Sequence, residues 1–168
     1  MPVYHFDEQN LRGGKGEAYL DTFFAERGHY IQKATRGQQR LGIDRVFLKD
    51  GTVVRVEYKT DLLAHKTGRV FIETVSMDTS GKQGWAFTSR ADLIVYFIPG
   101  LKRIVVVPPE NLRSEIGRWE QIYPTRAASN EEYSTHGILV PIEELERQAS
   151  QLFHLPPDAF NGLRERQG

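Results

Sequence analysis

The sequence predicts an α/β fold, with a mixed β-sheet and helices on both of its faces. Three observations predict it. Asp50-Gly51 separates two runs of β-branched and aromatic residues, 43–49 and 52–60. That is the pattern of a hairpin with a two-residue type I′ turn, which needs positive φ at both central positions. Residues 91–98 and 103–107 are nearly continuous apolar runs, as in strands covered on two sides. Tyr19, Leu20, Phe23 and Phe24 recur at helical spacing within residues 16–27, and Gly28 supplies a left-handed stop.

The elements follow in order. Residues 1–10 are polar with scattered aromatics, and 12–16 form a glycine-rich lead-in to the first helix. Glu17 lies three residues before Leu20 and seven before Phe24, so it sits on the buried stripe. It is either a first-turn acid favoured by the helix dipole or a site residue turned inward. Residues 29–35 read as a short strand. Arg36-Gly37-Gln38-Gln39-Arg40 is a polar, basic loop leading into the hairpin, either simply solvated or, as its position favours, a phosphate or base contact. Residues 61–69 connect to a strand at 69–75, with Phe71, Glu73 and Val75 on one side. Glu73 joins the hairpin acids if that strand flanks the hairpin. Residues 77–89 form a polar loop carrying Lys82 and Trp85. The tryptophan either stacks on a base or closes over the core as a lid.

The strands at 91–98 and 103–107 come next. Pro108-Pro109 starts a helix of about ten residues with Leu112 and Ile116 inward. Residues 120–135 are irregular, 137–140 form a last strand, and Pro141 starts a second helix with Leu145 inward. One domain is expected over 1–150, with a tail over 151–168.

Composition narrows the class. At 168 residues with 39% hydrophobic content, the chain can build a real core. It has no cysteine, which excludes disulfides and zinc–thiolate sites. No long apolar run, signal peptide or lipidation motif is evident, so the expected compartment is the cytoplasm, with no membrane partner. Net charge is zero, but residues 1–105 hold 16 Lys/Arg against 12 Asp/Glu, and residues 106–168 hold 6 against 10. The imbalance reads either as a usable phosphate footprint on the first part or as a chance fluctuation of a few charges. The five histidines show no metal-ligand spacing, and there is no phosphate-cradling glycine loop or nucleophile elbow.

The hairpin register carries the chemistry. With the turn at Asp50-Gly51, Leu48 faces Val53 and the count back sets Asp44 opposite Glu57. Opposed residues point to one face roughly 5 Å apart, and Lys59 points the same way. Two adjacent carboxylates repel unless a cation lies between them. Oxygen ligands of this kind suit magnesium, which takes one or two protein carboxylates and keeps several waters. A lysine beside the metal can orient a water or stabilise charge on a phosphate. The plainer alternative is a solvated charge cluster, with the lysine neutralising the acids. Val46, Leu48 and Val53 on the charged face and Phe47, Val54, Val56 and Tyr58 on the other suggest a sheet covered on both sides.

A helix with an acid, a strand, and a hairpin carrying Asp44 and then Glu57-Tyr58-Lys59 resembles the PD-(D/E)XK nuclease superfamily over residues 13 to 107. Ile43 stands where that family has proline, a position that supplies no ligand. The resemblance implies a restriction-endonuclease-like mixed sheet, to which the C-terminal strand and helix are an addition. It implies Mg²⁺ or Mn²⁺ held by Asp44, Glu57 and Tyr58, Lys59 as the residue that orients water, and Glu17 as a helper. It also implies a nucleic-acid partner, DNA rather than RNA, for which the chain's own candidate contacts are Lys15, Arg36, Gln38, Gln39, Arg40, Lys82 and Trp85. Many members are homodimers that cut two strands. Others have lost activity, so a non-catalytic nucleic-acid-binding or assembly protein is the competing expectation.

Overall fold

A computed structural model describes residues 6–160, with side chains from Gly14 onward. The first helix, α1, is Phe6–Ala25. Strands β1 (Tyr30–Lys33), β2 (Arg45–Lys49) and β3 (Thr52–Thr60) follow, with the short helix α2 (Arg36–Arg40) between β1 and β2. Asp50 and Gly51 have φ of 50° and 76°, as the type I′ turn requires. The register pairs Lys49 with Thr52, Leu48 with Val53 and Arg45 with Val56, so Asp44 falls opposite Glu57 as counted from the turn.

Two further strands complete the central sheet: β6 (Leu93–Ile98) and β7 (Arg103–Val107). With β10 (Gln151–His154) the six-stranded order is β1-β2-β3-β6-β7-β10. The pairing of β3 with β6 is parallel and every other pairing is antiparallel, so the sheet is mixed. The crossover between β3 and β6 holds α3 (Ala64–Thr67), β4 (Arg69–Met77), β5 (Lys82–Gln83) and α4 (Trp85–Thr88). After β7 come α5 (Pro109–Ile122), β8 (Thr125–Ser129), β9 (Ser134–Pro141) and α6 (Ile142–Arg147). A second, four-stranded sheet has the order β5-β4-β9-β8.

Strand alternation sorts the central sheet into two cores. On one face Val56, Tyr58, Val95, Phe97, Ile104 and Val106 pack with Leu20, Phe23 and Phe24 of α1. On the other, Ile94, Tyr96, Ile98, Val105 and Val107 pack with Val70, Ile72, Ile138 and Val140 of the second sheet, with Leu112, Ile116 and Trp119 of α5, and with Leu145 of α6. The prolines act as expected: Pro109 opens α5, and Pro141 caps the start of α6.

Several expectations change. One face of the central sheet is covered by a second sheet as well as by helices. The strands expected at 69–75 and 137–140 are β4 and β9, and it is their pairing with each other, so far apart along the chain, that left no local signal. The basic loop at 36–40 is a helix, because Thr35 and Gln38 form a capping box. The expected lead-in at 12–16 lies within α1. The irregular stretch 120–135 contains the end of α5 and the exposed strand β8. Residues 151–154, expected in the tail, pair with β7. Val53 is exposed, so the charged face of the hairpin is uncovered at its tip.

Arg45 locks α1 to the hairpin. Its position on β2 faces the helix, and only 7% of it is exposed. Its Nε donates to Asp21 Oδ1 at 3.0 Å and its Nη2 to Glu17 Oε2 at 3.3 Å, while Nη1 donates to the Asp44 carbonyl at 3.0 Å. Tyr58 Oη donates to Asp21 Oδ1 at 2.9 Å. Burial, then the Asp21 charge and hydrogen bond, push the Tyr58 hydroxyl far above its usual range, so it stays a donor.

Removing one partner of a buried ion pair strands the other charge. Asp21→Ala is therefore expected to lower stability by about 3 kcal/mol, and Asp21→Ala combined with Arg45→Met by less than that, because no charge remains stranded. Urea unfolding of the two variants decides it. A double variant less stable than the single one would show that Arg45 still has adequate partners without Asp21.

Candidate active site

The site lies on the β3 face that belongs to the second-sheet core, at the rim where apolar packing stops. Glu57 and Lys59 are the parallel neighbours of Ile94 and Tyr96 on β6, both of which are buried core residues. Glu57 is 5% exposed. Its Oε1 lies 2.9 Å from Lys59 Nζ, and its Oε2 is buried without a hydrogen-bond partner.

Asp44 is fixed from three sides. Its N–H donates to the Val56 carbonyl at 2.8 Å, its Oδ2 accepts from the Tyr58 N–H at 2.7 Å, and its carbonyl accepts from Arg45. Those bonds to residues 56 and 58 bracket Glu57. Tyr58 turns its side chain to the α1 face, so only its backbone faces the carboxylates, and its N–H is already used.

Gly42 brings the chain entering β2 against Glu57. Its φ is +75°, and a Cβ there would lie 3.2 Å from Glu57 Oε2 and 3.1 Å from Ser89 Cα and Oγ. Ser89 is buried and donates to the Gly42 carbonyl at 3.2 Å. A side chain at 42 would therefore press into the space beside the unpartnered oxygen.

The second sheet supplies a further acid. Glu73 on β4 accepts at Oε1 from the Trp85 N–H at 3.3 Å. The Trp85 ring covers Lys59, with Nζ 5.0 Å from its centroid, and packs against the core beside Tyr96. Burial, above all, raises the Glu73 carboxyl above the ordinary glutamate range. Glu57 adds to this, while the Trp85 N–H and the charges of Lys59 and Lys82 oppose it.

Asp44, Glu57 and Lys59 thus stand together, with Glu73 and Trp85 beside them. Glu17 does not complete a three-acid centre, because its carboxylate pairs with Arg45 on the α1 side. Among the described residues no group of three or more His, Asp and Glu is gathered closely enough to hold a metal ion. Trp85 is a lid on the core and on Lys59. Lys15, Arg36, Gln39, Arg40 and Lys82 are exposed, whereas the Gln38 side chain is engaged by the Thr35 N–H. The sequence reading missed Asp21, Gly42 and Ser89. Asp21 had a signal, since it lies four residues after Glu17 on one helix face. Gly42 and Ser89 had none, being distant in sequence and joined only by tertiary packing.

Two carboxylates, one of them with an unpartnered buried oxygen, fit one hard divalent ion that keeps most of its waters. Asp44 and Glu57 would hold it. No helix among the described residues is long and apolar enough to cross a membrane.

No family model matches the chain, and no curated protein matches it. Among solved structures it is similar to a bacterial homing endonuclease, I-Ssp6803I, with a TM-score of 0.49 and 18% identity over 78% of this chain and 74% of that one.

Two outcomes follow from the geometry. Gly42→Ala should cost roughly 1–2 kcal/mol for the left-handed backbone alone, and more if Ser89 cannot yield. Thermal or urea unfolding at an unchanged m-value would show it, and full stability would mean that the turn relaxes freely. For Glu73, an acid whose pKa rises on folding favours the folded state while protonated and loses that contribution as pH rises through the folded value. Glu73→Gln should therefore raise the urea midpoint at about pH 7.5 and change it little below pH ~4. A lower midpoint at the higher pH would mean that the ionised carboxylate stabilises the fold.

Proposed function

We propose that this protein is a divalent-metal-dependent nuclease that hydrolyses phosphodiester bonds, in DNA. The observation that carries the reading is Glu57: a buried carboxylate beside Asp44, with one oxygen on Lys59 and the other unpartnered. A purely structural acid at the rim of an apolar core would have both oxygens satisfied or be replaced by an apolar residue. A purely solvated charge cluster would not bury Glu57 to this degree.

The roles follow from position. Asp44 and Glu57 would hold the cation, the Asp44 carboxylate being oriented by the Tyr58 N–H. When bound, Mg²⁺ or Mn²⁺ supplies Lewis-acid stabilisation of phosphate charge and makes a coordinated water more acidic. Lys59 orients the attacking water with its ammonium protons and stabilises the negative charge that develops on the phosphate oxygens. Asp21 and Arg45 hold the hairpin against α1 and fix the Asp44 backbone. Lys15, Arg36, Gln39, Arg40 and Lys82 are the side chains available to phosphates along the strand.

The test is cleavage of supercoiled plasmid, linear duplex, single strand and four-way junction, with Mg²⁺, with Mn²⁺ and with chelator. Wild-type protein should cut at least one of these only when metal is present. Lys59→Ala and Glu57→Ala should each lose on the order of 10²-fold or more in rate. Cleavage that survives both substitutions would put the chemistry elsewhere. No cleavage by wild type, with nucleic-acid binding unchanged in the variants, would favour a binding protein on this scaffold.

A further inference from the structure

We infer that Arg36, Arg40 and Arg90 grip the phosphates of a DNA duplex beside the carboxylates, and that Leu41, held between Arg40 and Arg90, inserts against an opened base step. The inference rests on the reading of this protein as one that acts on DNA, and it adds Arg90, Leu41 and the form of the substrate to that reading.

Unmatched charge sets this surface apart. Arginines elsewhere in the fold are engaged: Arg45, Arg103 and Arg118 pair with carboxylates, and Arg69 and Arg113 donate to backbone carbonyls. Among the described residues, the arginines whose side chains have no hydrogen-bond or ion-pair partner are Arg36, Arg40, Arg90 and Arg126. All four are exposed, and the first three belong to one place. Arg36 and Arg40 lie one turn apart on α2, on the same side of the helix. The Arg90 N–H donates to the Leu41 carbonyl at 2.7 Å, which ties Arg90 to the end of that helix. Like charges one helical turn apart repel, and no described carboxylate answers them. A polyanion from outside the chain would.

The surface adjoins the carboxylates through its backbone. Leu41 closes α2, and the next residue, Gly42, is the one whose Cβ would lie 3.2 Å from Glu57 Oε2. Ser89, the neighbour of Arg90, donates to the Gly42 carbonyl at 3.2 Å. A strand gripped by these arginines therefore passes the metal-holding pair. Leu41 is 49% exposed. A lone exposed leucine is ordinary, but this one stands between two unpaired guanidiniums, at Arg40 along the chain and at Arg90 across the hydrogen bond. Its backbone is fixed at both ends, since its N–H donates to the Gln38 carbonyl at 2.9 Å and its carbonyl accepts from Arg90. Phosphate contacts on either side would press its apolar side chain against sugar and base. That contact becomes favourable when a base step opens to receive the side chain, as apolar wedges do at kinked steps.

The test is binding of a fluorescein-labelled DNA duplex, fully paired or with one central mismatch, followed by anisotropy over a range of salt. Chelator is present, so no cleavage intervenes, and thermal melts check folding. Arg90→Ala and Arg36→Ala should each weaken binding of the paired duplex about five-fold and lower the slope of log K against log salt by about one, as loss of one phosphate contact does. Arg126→Ala, at an unpaired arginine outside this surface, should change neither. Wild type should favour the mismatched duplex about ten-fold, because its step is already loosened. Leu41→Ala should bring that ratio close to one without changing the salt slope, and Leu41→Met should restore it. Equal losses from Arg90→Ala and Arg126→Ala, or no loss from Arg90→Ala, would overturn the grip. A mismatch preference that survives Leu41→Ala would overturn the insertion. A wild type that binds neither duplex, in chelator or in Ca²⁺, would overturn the inference together with DNA as the partner. Binding that follows the expected pattern in a protein that cleaves nothing with Mg²⁺ or Mn²⁺ would support this surface and bring down the nuclease reading alone.

Discussion

A carboxylate at the rim of an apolar core is the constraint on which the rest depends. Glu57 is the strand neighbour of a fully buried isoleucine, in a face that otherwise packs Ile94, Tyr96 and Ile98 against the second sheet. A charge in that place is unfavourable without compensation. Every nearby feature can be read as a response to it: Lys59 two residues on, Gly42 giving the chain room to approach, Ser89 bonding that chain in place, and the core giving way to Trp85 instead of continuing as aliphatic packing.

The two faces of the hairpin solve opposite problems. On the α1 face the charged groups are saturated. Arg45 meets Asp21, Glu17 and a carbonyl, and Tyr58 completes the Asp21 shell. That side resembles a lock, with little left over for a ligand. On the other face the acids outnumber the cations in contact with them, and one oxygen has no partner. Adjacent residues of one strand thus belong to a closed network and an open one. Alternation along the strand is what allows structural and chemical roles to sit side by side.

Legibility followed the range of the interactions. The turn at Asp50-Gly51 is a two-residue signal, and it set the pairing that aligns Asp44 with Glu57 and Lys59 without any tertiary information. The buried strands β6 and β7 announced themselves by continuous apolar runs, and α5 and α6 by their prolines. Glu17 was ambiguous because helical spacing says which stripe a residue occupies, not which strand residue it will meet. Here it meets Arg45. The second sheet was legible as two strands, at 69–75 and 137–140, but not as a sheet. The β8–β9 pairing is local, but β4 pairs with β9 across 61 to 72 residues, and exposed residues such as those of β8 carry no apolar pattern. Glu73 therefore read either as a further acid of the cluster or as a surface residue, and in the fold it accepts from Trp85, whose ring covers Lys59.

The strand order carries a further consequence, for the birth of the molecule. The acids at 44 and 57 and the lysine at 59 are synthesised early, and their hairpin can pair as soon as it emerges. The lid above them cannot settle so soon. Its β4 scaffold waits for β9, and the sheet edge at β7 waits for β10. Contacts so distant along the chain form slowly, because loop closure must come before they contribute. A nascent or partly unfolded chain would therefore present the charged hairpin bare, and completion of the second sheet would be the step that encloses it.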